Sequence, residues 1–463
     1  MEDEKKLETK KKIFIGVGIV VLIAVVICFG IAFKNTKSTT MQNNLAASDT
    51  ESATDISSEY NDINYGDATD LEGTSITKGG TYTLSGNYGT IVINTEEAVE
   101  LVLTDAQITS EAGPAIYVEN AKTVSIVLNG TNTITATTTE DLDGAIYSKD
   151  DLVFSGDGTL EVKSNYDGIV SKDSLVINSG TFVINSDDDG IRGKDNVAIV
   201  DGNITITAKG SAIKSTNDTE EGKGYIAIDG GTFNLTATTD GIHAEGNVTI
   251  NGGDFTINAG DDGIHGVGLL EINNGTFNIK AAEGIEATYV RINGGTINIE
   301  ASDDGINAAN KSTAYSTTVE INGGELTITM GQGDTDGIDS NGNLYINGGT
   351  INITGQSPFD YDGEAVYNGG TMIVNGEETT EITNQFDGGM QGGGMMKGGM
   401  NNGGERPQMD GNFTPGEFTE GEMPTPPDGN FEQNGDMSNT QRPEKPQGGQ
   451  GRRAAQNTQT QAQ

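Results

Sequence analysis

Between residues 75 and 384 polar and apolar positions alternate with a period of two. In Gly275-Thr276-Phe277-Asn278-Ile279, Phe277 and Ile279 share one face and Thr276 and Asn278 the other. That period predicts strands, because successive side chains of an extended chain point to opposite sides. Two phrases punctuate it. Asn-Gly-Gly-Thr or a close variant starts at Asn178, Asp229, Asn251, Asn273, Asn293, Asn322, Asn347 and Asn368. Asp-Gly-Ile starts at Asp167, Asp189, Asp240, Asp262, Asp304 and Asp336, with variants at Asp143, Glu283 and Asp362. Most steps are roughly 20–25 residues, a spacing typical of stacked repeats. Two longer steps hold insertions, Thr216–Gly224 and Asn310–Ser316.

A unit with about three short strands cannot bury an apolar face alone, but stacked units can. The expected fold is therefore all-β, a right-handed parallel β-helix of about ten to twelve coils. Like residues then lie on like. Phe182, Phe233, Phe255 and Phe277, with Ile204, Ile297 and Ile351, form one inner ladder. Ile191, Ile242, Ile264, Ile285, Ile306 and Ile338 form a second. Glycines supply the turns, and the turn asparagines are expected to hydrogen-bond along the stack. A β-propeller fits less well, because its blades need about 40 residues.

Composition agrees with a narrow core: 33% apolar residues, 67 glycines and no Trp. A net charge of −42 excludes a nucleic-acid partner, which needs clustered Lys and Arg. The single cysteine, Cys28, excludes an internal disulfide framework. Residues 13–33 carry no charge, and at ~1.5 Å per residue they match a ~30 Å hydrocarbon layer. Lysines dominate residues 1–12, so this end is expected in the cytoplasm and the body outside the cell, on a single-pass membrane anchor. Residues 34–74 read as a flexible linker and 385–463 as a disordered Gly/Met/Pro-rich tail. The body is expected to be monomeric.

Stacking gives the Asp-Gly-Ile carboxylates a repeat of about 4.8 Å. Two unit charges at that distance repel by ~0.9 kcal/mol in water and ~3.5 kcal/mol at an effective dielectric near 20. Calcium neutralises such a column with hard oxygen ligands. The candidate ligands are Asp167, Asp188, Asp189, Asp240, Asp261, Asp262, Asp303, Asp304 and Asp336. Residues just after the phrase, Arg192, Lys214, His243 and His265, with Lys172 and Lys194, set cations beside the carboxylates and are candidate glycan contacts.

Repeated Asn-Gly-Gly-Thr-(Phe/Ile) and Asp-Asp-Gly-Ile-(His/Asn)-Ala units behind an export segment resemble a family of bacterial surface proteins. These are the carbohydrate-binding right-handed β-helix proteins of cellulolytic clostridia, which look like pectate lyases in shape. The resemblance spans residues 75–380. It implies calcium at the Asp-Gly-Ile turns and binding of cellulose or polygalacturonate along one face. No complete catalytic constellation is visible, so binding leads over catalysis. The alternative is a pectate-type lyase with Lys172, Arg192 or Lys194 as base, although neighbouring anions are expected to hold a lysine pKa up. Flat aromatic platforms are few: Tyr147, Tyr166, Tyr225, Tyr345 and Tyr361 are candidates. A structural stalk or adhesin is the third reading.

Overall fold

A computed structural model describes residues 51–332 and 335–384. The chain winds into a right-handed parallel β-solenoid of about 13 turns. Each turn shows three faces. The strand Asp262–Ile272 bends at a register shift between Gly266 and Leu269, so 262–266 lie on the first face and 269–272 on the second. Thr276–Ala281 forms the third. Along the solenoid the strands pair in parallel from turn to turn, as in Ile242↔Ile264, Ile264↔Ile285 and Ile285↔Ile306. The count exceeds the ten to twelve expected, because early turns through Ile76, Ile91 and Ile116 lack the Asp-Gly-Ile phrase.

Both inner ladders form as the alternation requires. The register runs Phe182↔Ile204↔Phe233↔Phe255↔Phe277↔Ile297, and all are buried. Phe233 and Phe255 stack at 4.4 Å with planes 3° apart, and Phe255 and Phe277 at 4.6 Å and 1°. The turn asparagines make the expected column. Each Nδ2 donates to the Oδ1 one turn earlier, from Asn273 to Asn251 at 2.8 Å through Asn368 to Asn347 at 2.7 Å. Gly263 explains the invariant middle letter of Asp-Gly-Ile along this chain: a Cβ there would run into Ile279 and the Gly284 carbonyl of the next turn. Gly275 sits at φ +125°, a turn conformation that side chains resist.

Residues 51–74, the described part of the expected linker, are ordered against the body. Ser52 caps the helix Ala53–Ser58, its Oγ accepting from the Asp55 N–H. Ala53 and Ile56 pack on an outward column of the second face, Val153, Val176, Ala198 and Ala227. Thr54 Oγ1 donates to Asp229 and Ser57 Oγ to Asn178, both at 2.5 Å. The low apolar content of 34–74 concealed this, because two apolar side chains suffice for so short a helix. At the other end Glu377–Thr379 closes the stack by pairing antiparallel with Thr371–Val374. Among the described residues no helix is long and apolar enough to cross a membrane. The segment 13–33 and the tail 385–463 lie outside the described residues.

Candidate functional site

The residue after each Asp-Gly-Ile points outward from the first face, and register stacks these residues into one column. It runs Tyr117, Tyr147, Val170, Arg192, Lys214, His243, His265, Glu286, Asn307, Asp339, Asp360. The chemistry therefore grades along the axis from aromatic through cationic and imidazole to acidic.

The Asp-Gly-Ile carboxylates stand beside this column and have two jobs. One oxygen accepts a backbone N–H from the next turn. Asp167 Oδ1 takes the Asp189 N–H at 2.9 Å, Asp189 Oδ1 the Ser211 N–H at 2.9 Å, Asp240 Oδ1 the Asp262 N–H at 3.2 Å and Asp304 Oδ1 the Asp336 N–H at 3.1 Å. In the early turns the other oxygen faces a guanidinium, an ammonium or an imidazole. Arg192 bridges Asp143 and Asp167, each at 2.5 Å. Lys214 meets Asp189 at 3.2 Å, and His243 meets Asp240 at 2.8 Å. His265 stands between Asp262 at 2.6 Å and Glu286 at 3.2 Å. The imidazoles of His243 and His265 lie 4.6 Å apart on adjacent turns. Burial opposes charge on His243, yet Asp240 and Glu245 hold its proton and raise its pKa. The doublets split: Asp188, Asp261 and Asp303 are exposed, whereas Asp189 and Asp262 are buried and Asp304 is half-buried.

Among the described residues carboxylates converge in two places, Asp167 with Asp188 and Asp189, and Asp262 and Glu286 around His265. The later turns differ. Glu283, Asp304 and Asp339 make no ion pair among the described residues. Burial and neighbouring carboxylates push Glu283 up to about 8, Asp339 to about 7 and Asp304 to about 6. Asn307 sits among them, only 9% exposed. Its Nδ2 donates to Glu283 at 3.0 Å, and its Oδ1 is buried without a partner. Asp339 is its register partner on the next turn. A buried amide oxygen beside carboxylates is the type of oxygen donor that hard divalent cations take. Neither Asn307 nor Glu283 stood among the sequence candidates. Their signal was present: the ladder position after Ile turns from cation to Asn and acid at these turns.

The remaining cationic candidates have separate surroundings. Lys194 reaches Glu220 at 3.4 Å. Lys172 lies over the Tyr147 ring, 5.6 Å from its centroid. Burial and then Arg192 lower the Lys172 pKa, the opposite of the rise expected from neighbouring anions. The anions are there, but Arg192 has already engaged Asp143 and Asp167. Tyr147 is buried, and Tyr166, Tyr225, Tyr345 and Tyr361 are half-buried.

The chain is thus a parallel β-solenoid with a graded polar ladder along one face. Comparison with known proteins gives the class a family. The model of the carbohydrate-binding domain-containing proteins matches residues 72–263 and 258–397, and the chain belongs to that family. Among solved structures it is similar to the polysaccharide lyase-like protein from C. thermocellum, studied as a gadolinium derivative. Identity is 33%, covering 43% of this chain and 86% of that one, with a TM-score of 0.41. No curated protein matches.

Proposed function

We propose that this carbohydrate-binding protein holds an extended polysaccharide on its first face with the help of calcium, at the outer surface of the membrane that residues 13–33 would span. The observation that carries the calcium reading is the Asn307 Oδ1, buried without a partner beside Glu283, Asp304 and Asp339. These four residues would hold the ion. Bound there, calcium supplies positive charge that a uronate carboxylate can share. The early-turn ligands proposed from sequence, Asp167, Asp189, Asp240 and Asp262, already face Arg192, Lys214, His243 and His265. The calcium proposal therefore concentrates on the later turns, around Asp304 and its neighbours. Tyr117, Lys172 and Lys214, each half-buried, offer a ring and two cations to the polymer further along.

Co-sedimentation of the full chain in mild detergent with insoluble polygalacturonate and cellulose tests this. Pull-down on polygalacturonate should need calcium and vanish with EDTA. A chain that stays in the supernatant on every polysaccharide, with calcium present, removes the reading.

One observation favours a second reading, a β-eliminating lyase. Lys172 has a lowered pKa and stands beside Arg192. Its neutral Nζ could take the proton from the carbon next to a uronate carboxylate. The electron pair would form a C=C bond and expel the glycosidic oxygen, which takes a proton from water. Unsaturated products absorbing in the ultraviolet, lost in Lys172→Ala, would establish it. Arg192 and Lys194 are poorer bases, being engaged by Asp143 and Asp167, and by Glu220.

A further inference from the structure

The two insertions that break the repeat fall on one corner of the solenoid, between the first and second faces. Thr216–Gly224 follows the strand Ile213–Ser215, and Asn310–Ser316 follows the strand Ile306–Ala308. They rise as two walls, and the intervening turns at Glu245–Asn247 and 267–268 stay flush as a floor. The space between is a groove of about 750 Å³, within the ~300–1,000 Å³ range of small-molecule sites.

Both walls are tied down. Lys223 of the first wall pairs with Asp195 at 2.6 Å, and Asn217 Nδ2 donates to the same carboxylate at 2.7 Å. In the second wall, Lys311 pairs with Glu286 at 2.5 Å, and the Ser312 N–H donates to Thr288 Oγ1 at 2.8 Å. Such fixing lowers the ordering cost when a ligand enters. Tyr225 lines one end and Tyr315 the other, each half-buried. Asn247 Nδ2 donates to the Tyr315 hydroxyl at 3.0 Å, which holds that ring above Gly268. A side chain at Gly268 would run into both Asn247 and Tyr315, so glycine keeps the floor open.

We infer that this groove is a discrete glycan subsite, separate from the Asp-Gly-Ile ladder, which takes a neutral oligosaccharide. Tyrosine rings at both ends suit the apolar faces of pyranose rings, and the carboxylates that line the groove can accept hydrogen bonds from their hydroxyls. The charge sets the class of sugar. Asp218, Glu220, Glu221 and Glu245 line the groove, and its one ammonium, Lys223, is matched by Asp195 and Glu220. A uronate carboxylate about 5 Å from one such group is repelled by ~0.8 kcal/mol in water and ~3.3 kcal/mol at an effective dielectric near 20. The groove therefore rejects the acidic polymer that the calcium-bearing turns would attract. This inference rests on the carbohydrate-binding reading and adds a second, calcium-independent specificity to it.

Isothermal titration of the full chain with neutral gluco-, manno-, xylo- and galacto-oligosaccharides, and with oligogalacturonate, tests the assignment. At least one neutral series should bind saturably at one site, unchanged by EDTA. Tyr315→Ala and Tyr225→Ala should each weaken it tenfold or more. Tyr315→Phe, which keeps the ring, should stay within about threefold, so a loss in the alanine variants is separable from misfolding. Calcium-dependent pull-down on polygalacturonate should be untouched by Tyr315→Ala. Failure of that pull-down with neutral binding intact overturns the ladder reading alone. No saturable neutral ligand, or binding indifferent to both alanine variants, overturns the subsite.

Discussion

Arg192 stands where the early turns concentrate negative charge. Its guanidinium joins Asp143 and the nearly inaccessible Asp167, whose side chain is 2% exposed. Replacing one partner of a buried pair leaves the other uncompensated, at a cost of about 3–5 kcal/mol. Arg192→Ala should therefore lower stability by that order in denaturant titrations. The loss should be largest above about pH 7, the value to which burial raises the Asp167 carboxyl, and should shrink below it as Asp167 takes a proton. An unchanged unfolding midpoint for Arg192→Ala would mean that the pair is incidental. The sequence already places Arg192, His243 and His265 beside carboxylates, because each follows Asp-Gly-Ile by one position, and Lys214 likewise follows the degenerate Ser211-Ala212-Ile213. It could not show that Asp167 and Asp189 spend one oxygen on a backbone N–H of the following turn. That role depends on a turn-to-turn offset that only the folded register fixes. Lys172 departs from expectation because burial, followed by the neighbouring Arg192, outweighs the pull of Asp143 and Asp167 on its proton.

At the level of the element, the two ladders were legible down to individual residues. Period-two alternation assigns Phe255 and Phe277 to the inside, and in-register stacking does the rest. The same alternation puts Val176, Ala198 and Ala227 on the outside of the second face, where an apolar column needs a cover. That mismatch was the available sign of the helix Ala53–Ser58, and the polar composition of its surroundings hid it. Phe255 lies between two parallel rings and is 1% exposed. Phe255→Ala should cost about 3–5 kcal/mol, the range for truncating a buried aromatic. Asn293→Ala removes one rung of the external asparagine column, whose neighbours are exposed to water, and should cost only about 0.5–1.5 kcal/mol. Equal losses for the two variants, measured by chemical denaturation, would contradict an apolar ladder as the chief support of the coil.

Across the whole molecule the charge is −42, and the solenoid handles it differently along its axis. Early turns neutralise carboxylates with their own cations. In the later turns Glu283, Asp304 and Asp339 have no protein cation paired with them among the described residues, and their pKa values are raised. The insertions add a third environment, anionic and aromatic, on a neighbouring corner. Repeats were readable because they recur; the groove was not, because two loops distant in sequence meet only after the chain has coiled. Stability should carry the mark of the later turns. Folded Glu283 titrates at about 8 against an ordinary 4.5, and Asp339 at about 7 against 3.8. The native state thus holds more protons than the unfolded chain across that window. Without calcium, the contribution of these groups to stability is complete below the ordinary carboxylate pKa and is lost as pH rises through the folded values.

The most direct test is therefore the melting temperature of the metal-free protein, with and without millimolar calcium, near pH 5 and near pH 8.5. Calcium at a hundredfold excess over its dissociation constant adds about 2.7 kcal/mol to a state that binds it. The rise in Tm should be large at the alkaline pH, small in acid where protons occupy the same carboxylates, and absent in Asn307→Ala combined with Asp339→Asn. A calcium shift that is equal at both pH values, missing at both, or unchanged in that double variant would contradict the later turns as the ion's seat.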